Sequence, residues 1–356
     1  MKDKPVQHGK YGMSMKNRIL LISVLLLILT INASAQQIER NESALVYYMP
    51  KTELLIDVEY ERIDAKVGAF YQYSQRYLGV DDVVKENKVT YRIKSVTFQT
   101  RTVPDKDRAY TIKNNAYNIG IGLTSDGILC GINTRNSIVL NNKFKYVNEP
   151  VVVQTAPKTI VPLGEEQLLS GSQAKMAEST AKQIYRLRES RFNILSGEAE
   201  NMPTDGEAVK LMLDQLNEQE EALCALFVGT KEITRLHAYY PIDLSKEQNG
   251  LIAFRFSSLV GPVDANDLSG APIVVDIEHH KIKYATVPKE KKAQKDAIYY
   301  NIPGDASVIV KQGTQILAQK DLKVAQLGIE VPIETALLFK KVLINPETGL
   351  ISQVNL

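Results

Sequence analysis

The sequence predicts an α+β chain dominated by β structure, with two β-sandwich-like domains and an antiparallel helical hairpin between them. Three observations carry this expectation. Apolar and polar residues alternate through residues 44–150 and again from 230 onward, the period of half-buried strands. Residues 165–228 turn instead to Gln, Glu, Ala and Leu, with apolar side chains at helical spacing. Turn signals are frequent and the strands short, which suits sandwiches better than a parallel α/β sheet. The predicted units are 36–164, 165–229 and 230–356, behind a leader at 1–35.

The leader has its own chemistry. Lys16 and Arg18 form a basic region, Ile19–Ile31 a short apolar core, and Ala33-Ser34-Ala35 the small-residue pattern that a signal peptidase cuts before Gln36. The apolar core is short of the ~20 residues a bilayer span needs. No cysteine follows it to carry a lipid. Met15 opens a compact leader by itself, so Met1 and Met15 both stand as starts. The expectation is export, to the periplasm or the outer membrane, with no transmembrane span in the mature chain. Of the 43 basic and 41 acidic residues, five and one fall in the leader, which leaves the remainder at net −2. That balance argues against a nucleic-acid binder, which normally shows a basic stripe.

In the first β unit, Leu54, Ile56, Val58 and Tyr60 alternate with Leu55, Asp57, Glu59 and Glu61. Val89, Tyr91 and Ile93 repeat the period, and Val96 and Phe98 continue it on the other parity, so a β-bulge is predicted near Lys94–Ser95. Thr124-Ser125-Asp126-Gly127 is turn chemistry. The three prolines of residues 147–164 read as an extended linker or edge strand.

In the helical unit, Ala177, Ala181, Ile184, Leu187 and Ile194 share one face, and Gly197 ends the helix. Thr204 with Glu207 reads as a capping box for the next helix. Val209, Met212, Leu216, Leu223 and Phe227 form its stripe, and Gly229 its C-terminal cap. Residues 175–191 carry net +3 and residues 205–221 net −5, which favours pairing the two helices. In the last unit, alternation recurs at Ile252–Phe256, Ile273–Ile277, Ala306–Val310, Gln315–Ala318 and Lys341–Ile344. Asn345–Gly349 turns the chain into a final strand near Leu350–Val354, and Lys289–Lys295 is a basic loop.

Catalytic motifs are lacking. Gly120-Ile121-Gly122 has no third glycine, so no dinucleotide cofactor is expected. His279 and His280 are adjacent on a strand and point to opposite faces, so no metal site is expected from them. Cys130 and Cys224 read as free thiols, with a disulfide chemically open to an exported chain. Asp57 and Glu59 share a strand face about 7 Å apart, a spacing a glycosidase pair could use and one that a solvated strand face also produces. The best binding candidates are Tyr71, Tyr73, Arg76 and Tyr77, beside Phe70; core packing is the competing role for these rings. Each Tyr-Tyr pair (47/48, 239/240, 299/300), if on a strand, should place one ring inward and one outward. Trp is absent, which weakens a carbohydrate-stacking reading without excluding tyrosine platforms.

LVYYMPKTELLIDVE (45–59), GAFYQYSQRYLG (68–79), EALCALFVGT (221–230), FRFS (254–257), DLSGAPIVV (267–275), IYYNIPG (298–304) and NPETG (345–349) occur in order. As a set they resemble an exported Bacteroidetes family, domain of unknown function family 4831. The resemblance implies export into a Gram-negative envelope and a mature chain that forms one unit; it implies no activity and no site residues. The reading that follows is a non-enzymatic envelope protein that binds a protein or glycan through tyrosine-bearing β surface, with a hydrolase using Asp57 and Glu59 as the alternative.

Overall fold

The computed structural model describes residues 44–113, 119–134, 138–140, 142–154, 156–157, 164–165, 169–200, 203–280 and 297–355. The leader with its two starts and the basic segment Lys289–Lys295 lie outside the described residues. The α+β, β-dominated class is what the described residues form.

The frame is a long antiparallel ladder. Strand β1 (Ala44–Lys66) pairs with β2 (Lys88–Lys113) along almost its whole length. The register shifts between Glu59 and Tyr60, which leaves Lys94 as the extra residue on β2. This is the bulge predicted from the parity switch: it lets Tyr91 and Ile93 on one side, and Val96 and Phe98 on the other, all reach the same core. On its other edge β1 pairs with β6 (Thr230–Ile242), which pairs in turn with β5 (Val151–Gln154), in the order β2-β1-β6-β5.

A second sheet has the order β11-β10-β9-β7-β8, from β7 (Gln248–Ser257), β8 (Gly261–Val263), β9 (Ala271–His280), β10 (Tyr299–Gln312) and β11 (Gln315–Pro332). The main core fills the space between these two sheets. Leu54, Ile56 and Val58 of β1 meet Phe254, Ile273, Val275, Val308 and Val324 there. Tyr240 stacks on Phe254 with centroids 4.0 Å apart and planes 4° from parallel.

A third sheet, in the order β13-β12-β4-β3, joins β3 (Ile121–Leu123) and β4 (Leu129–Ile132) to β12 (Lys341–Ile344) and β13 (Ile351–Asn355). Its core gathers Tyr47, Met49, Leu129, Ile132, Val342 and Ile344.

The two β segments on either side of the hairpin were expected as separate units, and strand pairing joins them. β1 bonds to β6 across the hairpin, and β4 bonds to β12 from near the C-terminus. The physical reason is that β1 has two edges. Its alternation specifies a buried face, and nothing local specifies which strands will satisfy each edge.

The hairpin is an insertion between two neighbouring strands, β5 and β6. After the short helix α1 (Ser74–Leu78), it consists of α2 (Gln173–Ser196) and α3 (Gly206–Val228). Gly197 ends α2 in the left-handed region at φ 79°, and Gly229 follows α3 at φ 81° with its N–H bonded to the Ala225 carbonyl. The N-cap of α3 is Asp205, whose carboxylate accepts the Glu207 N–H, and not Thr204. A carboxylate at that position also meets the positive end of the helix dipole, which Thr204 would not.

Buried Ala177, Ala181 and Ile184 of α2 pack on Leu223 and Phe227 of α3. Arg188 and Arg191 both reach Glu220 at 2.6 Å, so the complementary charge of the two helices is used in their seam. Met212, predicted in the stripe of α3, is exposed, because the third core lies at the base of the hairpin and does not extend to it. No described helix is long and apolar enough to cross a membrane. Cys130 and Cys224 are both free, the first buried and the second half-buried, and burial raises both thiol pKa values.

Candidate functional site

The candidate site lies on the outward face of β1, which carries Glu53, Leu55, Asp57, Glu59 and Glu61; Glu53 and Leu55 line it. Residues 142–147 lie across this face as a strap, held by side chains in place of a backbone ladder. The Asn142 side-chain carbonyl accepts the Thr102 N–H at 2.8 Å. The Gln99 amide mimics a strand partner: its Nε2 donates to the Lys145 carbonyl at 2.9 Å and its Oε1 accepts the Lys145 N–H at 2.8 Å. The Val147 N–H donates to the Tyr239 hydroxyl at 2.6 Å. This cover explains why Leu55, on the polar parity of its strand, is buried.

Beside the strap is a concavity of about 620 Å³, lined by Phe144, Tyr146, Tyr239, Arg101, Glu53 and Asp243 among others. The rings are fixed relative to one another. Tyr146 meets Tyr239 edge to face at 4.8 Å, and Phe144 meets Tyr146 at 6.4 Å in the same manner. The Arg101 guanidinium lies 4.5 Å above the Phe144 ring and donates from Nε to Glu53 at 2.6 Å. Tyr146 remains 52 % exposed, so its ring is available to a ligand. Tyr239 and Tyr240 behave as the pair rule predicts. Tyr239 faces the groove, while Tyr240 is in the core, where burial pushes its pKa up to about 12.

Along the same face the acidic residues are matched. Asp57 accepts from Gln99 at 3.1 Å and sits 2.7 Å from Nδ1 of His237. Glu59 accepts from the Ser95 hydroxyl at 2.9 Å and lies 3.5 Å from Arg235. Glu61, only 3 % exposed, is bonded by Arg92 at 2.7 Å and Arg235 at 3.3 Å. Burial by itself would raise the Glu61 pKa; the two guanidinium bonds outweigh it and hold the carboxyl below its usual value.

The sign of the pH effect follows from this depressed value. The Glu61 contribution to stability is complete above the unfolded-state pKa and is lost as pH falls through the folded one. The difference in urea midpoint between wild type and Glu61→Gln is therefore expected to be largest at pH 7 and to close as the pH approaches 3. A difference that stays constant over that range would show that the charge contributes nothing.

The sequence candidates Tyr71, Tyr73, Arg76 and Tyr77 lie elsewhere, on a helical turn at the base of the hairpin and not on β surface. Phe70 is buried against Phe227 at 5.4 Å, and its N–H donates to the Leu226 carbonyl. Tyr73 and Tyr77 are neighbours at 6.2 Å, packed on the hairpin core, with Arg76 5.3 Å over the Tyr77 ring. Tyr71 accepts a bond from the Gln72 amide at its hydroxyl. The turn therefore brings Tyr73, Arg76 and Tyr77 together, and its backbone is joined to the helices by the Tyr185 hydroxyl on the Tyr77 carbonyl. His279 and His280 reach different partners, the Leu244 carbonyl and Ser307, as opposite faces require.

Phe144, Tyr146 and Arg101 were not anticipated. The one signal for them was Tyr239, the outward member of a Tyr-Tyr pair, whose partners lie about ninety residues away in the chain.

A family model described as a domain of unknown function (DUF4831) matches residues 43–352. No curated protein and no solved structure matches the chain.

Proposed function

We propose, on the premise that this chain belongs to the DUF4831 family of unknown function, that it is an exported, non-catalytic envelope protein that binds a glycan in the groove beside the 142–147 strap. One observation carries the reading: three aromatic rings and the Arg101–Glu53 pair surround an open concavity in which Tyr146 is half exposed. Aromatic faces take the apolar faces of sugar rings, and a rim of Arg101, Glu53, Lys51 and Asp243 supplies donors and acceptors for hydroxyls. The leader pattern agrees with it.

Binding is favoured over hydrolysis because Asp57 and Glu59 are already engaged by His237, Gln99, Ser95 and Arg235. A catalytic carboxylate pair needs oxygens free for a leaving group and for water.

A glycan array probed with wild type and with Tyr146→Ala tests the proposal. Wild type is expected to select a small set of glycans, and the variant to bind them at least about tenfold more weakly, ~1.4 kcal/mol, with an unchanged thermal midpoint. Equal binding by the two proteins, or no glycan bound by wild type, would overturn it.

A further inference from the structure

We infer that the open end of the sandwich is a second binding site, selective for acidic sugars. The cavity there, 650 Å³, lies between the edge strand β2, whose Tyr91 N–H donates to the Ser258 carbonyl at 2.8 Å, and the turns that join β7 to β8, β8 to β9 and β10 to β11. It is distinct from the strap groove and shares no lining residue with it.

The lining determines the ligand class. Ser257, Ser258, Ser269, Gln312 and Gln315 contribute hydroxyls and amides, groups that both donate and accept, as a ring of sugar hydroxyls requires. Phe256 and Leu317 supply an apolar side for a sugar face. No carboxylate lines the cavity, and two cations do, Arg92 and Lys94. Arg92 is bonded to Glu61, and Lys94, which makes no ion pair among the described residues, acts on the same carboxylate only through space, so positive charge is in excess at the cavity.

Two comparisons within the molecule sharpen this. A third concavity, on the outer face of the β9–β10 sheet, is lined by Glu247, Asp276 and Glu278; Lys311 pairs with Asp276 at 2.5 Å, which leaves the two glutamates in excess. The strap groove is balanced, with Lys51 and Arg101 against Glu53 and Asp243. Of the three, only the sandwich end favours an anion.

The bulge at Lys94 excludes the obvious competitor. β2 is the edge of its sheet, and a peptide strand could add to it. An extra residue in the middle of the exposed edge breaks the regular spacing of donors and acceptors that such pairing needs. The parity switch legible in the sequence thus marks a place where the chain departs from regular strand geometry to border a cavity.

The test is titration of the whole protein with trigalacturonate and, as the neutral control, maltotriose, by calorimetry. Wild type is expected to bind trigalacturonate at least about tenfold more tightly than maltotriose. Lys94→Gln should lose that preference, and Lys94→Arg should keep it. Lys94 is exposed, so both variants are expected to fold, which thermal melting checks. Tyr146→Ala, in the strap groove, should leave trigalacturonate binding unchanged, so failure of this site and failure of the groove are separately visible. The inference is overturned if wild type binds no trigalacturonate at about 10 mM, if Lys94→Gln retains the preference, or if Tyr146→Ala abolishes it.

Discussion

Replacing Asn301 by alanine is expected to destabilise the protein by about 2–4 kcal/mol, among the largest effects of any single polar substitution. Asn301 is fully buried on β10. Its Nδ2 donates to the Ala325 carbonyl at 2.9 Å and to the Thr348 carbonyl at 2.8 Å. Its backbone N–H donates to the Gly349 carbonyl at 3.0 Å. One side chain therefore ties β11 to the Asn345–Gly349 turn, and through that turn to the β12–β13 sheet. Truncation leaves one buried carbonyl (Ala325) and one half-buried carbonyl (Thr348) without that donor, and a buried loss of this kind costs about 1–3 kcal/mol. The Asn301 Oδ1 has no partner among the described residues, and removing it recovers part of the loss. Urea denaturation of wild type and variant measures the change. A shift below about 0.5 kcal/mol would mean that the turn is held by other contacts.

Phe227→Ala is expected to cost more, about 3–5 kcal/mol, the range for removing a fully buried aromatic side chain. The Phe227 ring has no exposure, packs on Phe70 at 5.4 Å, and closes the base of the hairpin with Leu223, Ala177, Ala181 and Ile184. That core shares no buried residue with the sandwich core. The loss should therefore be local. Amides in α2 and α3 should exchange faster with solvent by a factor matching the lost stability, while those of β1, β9 and β10 keep their protection. Uniform loss of protection across the chain would show that hairpin and sandwich unfold as one unit.

What the sequence disclosed and what it hid differ in range. The bulge at Lys94, the glycine ends of both helices and the inward and outward split of Tyr239 and Tyr240 are set by residues within a few positions of one another, where periodicity and turn chemistry operate. The exchange of Thr204 for Asp205 as the cap is a shift of one residue, the ordinary scale of error at a helix end.

The strap was hidden because its bonds are non-local and made by side chains. Gln99 holds Lys145, and Tyr239 holds Val147 across 92 residues of chain. Neither residue type advertises such a partner. The sharing of sheets between the segments before and after the hairpin was hidden for a related reason: alternation reports which face is buried and is silent about which strand lies at each edge. Tyr73 and Tyr77 take the core-packing role that the sequence offered beside binding: the folding of a short helical turn places them against the hairpin core.

We propose that this protein holds its ligand in the groove beside the strap. The most direct measurement is hydrogen exchange with and without the glycan that the array selects. Slower exchange confined to residues 142–147 and 239–244 is the predicted result, since these segments carry Phe144, Tyr146, Tyr239 and Asp243 on one concavity. Protection at residues 68–80, where Tyr71, Tyr73, Arg76 and Tyr77 lie, with none at the strap, would contradict it.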